Sequence, residues 1–122
     1  MSLHWLFMPL IHLPAATVDL RIDDAGLDLR EYGIPGRAHH TPGHSPGSVS
    51  VLLDSGEAFV GDLAMNKFPL RRSAGLPIFA DDTVQVIDSW RLLLRNGATT
   101  VYPAHGKPFP ATIIEDAIRD SA

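Results

Sequence analysis

The chain has 122 residues, 45% of them hydrophobic and 20% charged, with 10 Gly, 10 Pro and no Cys. That length fits one domain, which at this size buries roughly two-thirds of the surface its unfolded chain exposes, and the composition is neither disordered nor fibrous. A net charge of -4 argues against a nucleic-acid binder or a membrane-surface binder, and the lack of Cys excludes disulfides, a thiol nucleophile and thiolate metal sites, leaving only His and carboxylate to hold a metal.

Residues 1–14 are apolar, but no Lys or Arg precedes Arg21, and His4, Pro9 and His12 interrupt the run. It therefore reads as an extended or interface-forming segment of a cytoplasmic protein rather than a signal peptide, and it is shorter than the ~20 apolar residues of a membrane span. Residues 17–22 alternate like a half-buried strand, a turn follows at 23–26, and further strands are expected over 27–30 and 36–41. Residues 48–53 and 57–60 form a hairpin across Asp54-Ser55-Gly56. The period then changes: Asp81 or Asp82 caps a helix with Val84, Ile87, Trp90, Leu93 and Leu94 on one face, and Asn96-Gly97 stops it. Residues 99–102 read as a strand, and Thr112 with Glu115 as a capping box opening a last helix to about 119. Strands followed by strand–helix alternation make an α/β or α+β layer arrangement of one domain over 1–122.

Three segments share a design in which a strand ends and a potential metal ligand follows in a tight, Gly-containing loop. They are the loop at 40–48 with His44, the segment 59–62 ending in Asp62, and the segment 101–106 with His105. Such loops hold an imidazole or carboxylate in fixed geometry, and neutral His and ionised Asp suit zinc where Cys is lacking. The three lie far apart in the chain, so their convergence depends on the fold. His39 and His40 read as strand residues, and the basic loop at 66–75 as a solvated surface. Ser45 and Ser48 sit in a Gly-Pro turn and not in a nucleophile elbow, which argues against a Ser-His-Asp hydrolase.

Thr-Pro-Gly-His-Ser-Pro-Gly-Ser at 41–48, Val-Gly-Asp at 60–62 and Pro-Ala-His-Gly at 103–106 resemble, in order and spacing, the later metal motifs of the metallo-β-lactamase superfamily. That superfamily includes glyoxalase II-like thioesterases, lactonases, β-lactamases and nucleases. The resemblance implies the C-terminal half of an αββα sandwich, with a mostly antiparallel, mixed sheet and two main helices. It also implies a site at one edge for one or two ions, zinc or else iron or manganese. By motif, His44 would bind the first metal, Asp62 would bridge, and His105 would bind the second. The family's metal-activated water attacks ester, thioester, lactone or phosphoester bonds.

The superfamily's first motif, His-x-His-x-Asp-His, does not occur in this sequence. Each metal would then keep two protein ligands at most, against the three of a typical catalytic zinc. The expected lone chain is inactive or weakly active, and no catalytic or substrate-binding residue is assigned. An apolar face that includes Val49, Val51, Leu53, Phe59 and the helix of Trp90 would be left uncovered, so a homodimer, or a partner supplying the other half, is expected. The alternative is a non-catalytic, dimerising interaction domain whose metal loops persist only as loop geometry.

Overall fold

The computed structural model describes residues 20–65 and 83–121. The apolar segment at 1–14, the first half of the strand expected at 17–22, the loop at 66–75 and the helix cap at Asp81 or Asp82 lie outside the described residues. Among the described residues six strands form one sheet in the order of the chain: β1 (Leu27–Asp28), β2 (Gly36–His40), β3 (Val49–Leu53), β4 (Glu57–Met65), β5 (Thr100–His105) and β6 (Phe109–Pro110). Neighbours are antiparallel except β4 and β5, which run parallel. A parallel pair needs a crossover connection, and helix α1 (Thr83–Arg95) lies between these two strands in the chain. Helix α2 (Thr112–Ser121) follows β6. The expected mixed sheet with two helices is therefore the observed architecture.

The alternation of β3 to β6 decides where the core forms. Leu52 faces Ala58, Ala58 faces Val101 and Val101 faces Phe109, and all four are buried. Against them pack Val86, Trp90 and Leu93, spaced to share one side of α1, together with Leu63, Ala64 and Ile114. Trp90 is fully buried and its indole Nε1–H donates to the Leu63 carbonyl at 3.0 Å. This corrects the expectation that the Trp90 helix lines an uncovered face: it covers the sheet.

α1 stops where the Asn-Gly signal places it. Gly97 N donates to the Leu94 carbonyl and Ala98 N to the Leu93 carbonyl, the paired closing bonds of a Schellman motif. Elsewhere local chemistry overrides the pattern. Residues 20–22 are not strand, and β1 ends at Asp28 because the Asp28 carboxylate accepts from the backbone of Arg30 and bends the chain into a short 3-10 turn, Arg30–Tyr32. Thr112 is the first helical residue of α2 rather than its cap; the Ala111 carbonyl accepts from Ile114 and Glu115 instead. β4 runs to Met65, well beyond the expected end at residue 60. Its pairing to β5 is irregular on both sides of Gly61, which has φ +56.

Among the described residues no helix is long and apolar enough to cross a membrane.

Candidate metal centre

The irregularity at Gly61 is what presents Asp62. A residue in the left-handed region breaks the strict alternation of a strand and re-aims the side chains after it. Here Leu63 and Ala64 are both buried while Asp62, just before them, is half-exposed. β4 therefore delivers a carboxylate to the end of the sheet where β2 runs into the 41–48 loop and β5 ends at His105.

The loop is fixed from three sides. Thr41 N donates to the Ser48 carbonyl at 2.9 Å and closes its neck, and the buried hydroxyls of Thr41 and Ser50 bond to each other at 2.7 Å. From α1, Ser89 Oγ donates to the Pro42 carbonyl at 2.7 Å. Gly43 sits with φ +137 directly over the first turns of that helix: a Cβ there would lie 2.5 Å from the Val86 nitrogen. Only glycine allows this approach.

The sheet and loop bring together the three residues that the sequence singles out. His44 Nε2 lies 3.6 Å from Asp62 Oδ2, and His105 Nε2 lies 3.1 Å from Asp62 Oδ1. One carboxylate thus stands between two imidazoles, one at each oxygen. Oδ1 is buried, and among the described residues it receives no hydrogen bond, although His105 Nε2 lies 3.1 Å away. A buried carboxylate oxygen without a donor is costly, and a cation resolves that cost.

The spacings suit such an ion. Zn–N and Zn–O bonds of about 2.0–2.1 Å in a tetrahedron place adjacent ligand atoms about 3.3–3.4 Å apart, and the two observed separations bracket that value. Among the described residues, however, no three His, Cys, Asp or Glu side chains make up a complete metal-holding group. The contacts are pairwise through Asp62. A metal here needs further donors from outside this cluster.

The other histidines divide sharply. His39 is buried, and desolvation, followed by the nearby Arg37 charge, pushes its imidazole pKa down. His40 is half-buried. Its Nε2 is 2.7 Å from the Pro46 carbonyl and its Nδ1 is 3.1 Å from Asp24 Oδ1, and these partners, Pro46 first, hold its pKa above the ordinary value. Its position beside the Thr-Pro-Gly-His motif is visible in the sequence, but neither partner is.

The model of the metallo-beta-lactamase superfamily matches residues 6–105. The chain belongs to the metallo-beta-lactamase superfamily. Similar solved structures share its fold. An archaeal superfamily protein from Sulfolobus tokodaii is 26% identical with a TM-score of 0.54, over 70% of this chain and 32% of its own. A family protein from Thermus thermophilus is 23% identical with a TM-score of 0.60, over 91% and 37%. A metallo-beta-lactamase from Erythrobacter litoralis is 23% identical with a TM-score of 0.58, over 82% and 46%. This superfamily chain thus spans less than half the length of each of these relatives. No curated protein matches it.

Proposed function

We propose that His44, Asp62 and His105 are this chain's share of a divalent-metal site in a hydrolase of the metallo-beta-lactamase lineage. The observation that carries the reading is the Asp62 carboxylate set between two imidazoles, with its buried Oδ1 lacking a hydrogen-bond donor. His44 and Asp62 Oδ2 would hold one ion, and Asp62 Oδ1 and His105 the other, with zinc, iron or manganese as candidates. An ion held there supplies Lewis acidity and activation of water near neutral pH. The chain's own contribution is rigidity: the closed 41–48 loop, the Gly61 irregularity and the end of β5 fix three donors without a flexible tether. The substrates of the lineage are ester, thioester, lactone or phosphoester bonds. Two protein donors per ion fall short of a catalytic set, so the chain alone turns over such substrates weakly or not at all, and a partner that supplies further donors restores the rate.

Elemental analysis after dialysis against zinc, together with calorimetric titration, tests the metal site. Near-stoichiometric zinc is expected in the wild-type chain, with loss in Asp62→Ala and a large drop in His44→Ala and His105→Ala. Zinc retained in full by Asp62→Ala sinks the assignment.

A second reading, a dimerising interaction domain, is favoured by a different observation. On the sheet face away from α1, Leu27, Ala38, Val51, Phe59 and Tyr102 occupy successive register positions across five strands. The Phe59 and Tyr102 rings stack with centroids 4.8 Å apart, and Phe59 is 45% exposed. A second copy seated on this stripe is the partner proposed. Dimerisation through the stripe is compatible with metal binding, since the stripe and the metal loops occupy different parts of the sheet, whereas a chain that dimerises and binds no zinc is the non-catalytic interaction domain.

A further inference from the structure

His40 joins two parts of the chain by a hydrogen-bond pattern that only one protonation state satisfies. The Pro46 carbonyl and the ionised Asp24 carboxylate are both acceptors without a proton to give, yet they sit at opposite nitrogens of the same ring, 2.7 Å from Nε2 and 3.1 Å from Nδ1. Both nitrogens must carry protons to hold both partners. Pro46 belongs to the loop that carries His44, whose far limb is otherwise tied by the Thr41–Ser48 neck and the Ser45–Ser48 bonds. Asp24 belongs to the segment that leads into β1, and its side chain is almost fully exposed. Asp24 is the charged group whose field acts on the ring; Val49 faces His40 across β3, and the neighbour His39 lies on the opposite face of β2.

We propose that His40 is a positioning residue for the metal loop: its Nε2–H holds the Pro46 carbonyl and thereby fixes where His44 meets Asp62, while its Nδ1–H, when present, ties Asp24 to the same anchor. The metal consequence of this rests on the site reading above; the loop consequence does not. As pH rises the proton leaves Nδ1, the Asp24 arm swings into solvent, and the Pro46 arm stays.

Long-range 1H–15N spectra of the full metal-free chain read the tautomer directly. His40 should carry both ring protons at pH 6 and keep only the Nε2 proton above its midpoint. In Asp24→Asn that midpoint should fall, because the Asn amide can donate to a bare Nδ1. Amide exchange reports the loop. His40→Ala should speed exchange at Thr41, Gly43 and Ser48 about tenfold or more while leaving α1 unchanged. His40→Gln, which retains a side-chain N–H donor, should recover most of that protection. Zinc titrations should follow the same order, with about tenfold weaker binding in His40→Ala and rescue in His40→Gln, the size usual for residues that orient a ligand. A neutral His40 at pH 6, an Nδ1–H tautomer above the midpoint, or loop exchange in His40→Ala equal to wild type overturns the proposal. Exchange that rises through α1 as well assigns His40 to global stability and also overturns it. Should the wild-type chain take up no zinc, the metal reading falls, and the tautomer and loop exchange still decide the role of His40.

Discussion

Adjacent histidines on one strand are driven in opposite directions by the two faces of the sheet. His39 is buried and its folded-state pKa is lowered; His40 meets two acceptors and its folded-state pKa is raised. The linkage signs therefore differ. For His39 the unfolded chain binds a proton that the folded chain resists, so stability is full above the unfolded value of about 6.5 and is lost as pH falls below it. For His40 the folded chain holds a proton that the unfolded chain releases, so its contribution is full below that value and is lost as pH rises through the raised folded pKa. Asp28 and Glu57, whose pKa values are lowered by their hydrogen bonds, act only in the carboxylate range well below this window. The urea midpoint should therefore peak near pH 6.5. His40→Gln should flatten the alkaline side of the peak, and His39→Leu the acid side. A wild-type midpoint that rises steadily from pH 6 to pH 8 would contradict the environment assigned to His40.

At the level of elements, two glycines set the site geometry by different physics. Gly43 combines φ +137 with a Cβ position 2.5 Å from the Val86 backbone, whereas Gly61 has φ +56 and open space around it. Gly43→Ala must move the loop off α1, at a cost of about 1–3 kcal/mol, and should weaken zinc binding along with stability. Gly61→Asn meets no clash, and Asn tolerates the left-handed region, so it should lose less than about 1 kcal/mol. Thermal denaturation of the two variants checks the order; equal losses would mean that the Gly43–Val86 approach relaxes without strain. The same pair shows what the sequence makes legible. The hairpin, α1 and its Asn-Gly stop can be read because periodicity and turn chemistry act within a few residues. The end of β4 cannot, since Gly61 looks like a terminator and is instead an irregularity that the pairing with β5 bridges. His44, Asp62 and His105 can be read as candidates from their loops and from the family motifs. That both imidazoles meet one carboxylate, and that His40 grips Pro46, depends on strands brought together from distant parts of the chain.

At the scale of the whole molecule, the two faces of the sheet differ among the described residues: one is built into the core and the other carries exposed apolar side chains. Leu52, Ala58, Val101 and Phe109 are sealed under the helices, while the row through Val51, Phe59 and Tyr102 has Phe59 45% exposed, with Val49 39% exposed on the same face. Among the described residues the edge strands β1 and β6 are two residues each and offer little for pairing, which favours association through the face over strand addition. Sheets pack face to face about 10 Å apart with side chains interdigitating, and under the proposal the exposed part of the row, Phe59 and its neighbours, is what a second copy would cover. Covering the exposed 45% of Phe59 is worth about 1 kcal/mol on each side, and a charge placed there removes that gain and adds a desolvation cost. Light scattering at micromolar concentration should give a mass near twice the 13.3 kDa of the chain. Phe59→Glu should return it to the monomer, with the far-ultraviolet circular dichroism of the wild type, because Phe59 contributes nothing to the helix-covered core. A wild-type monomer under the same conditions would remove the self-association proposal and leave the zinc titration of Asp62 unaffected, since the carboxylate and its two histidines all belong to one chain.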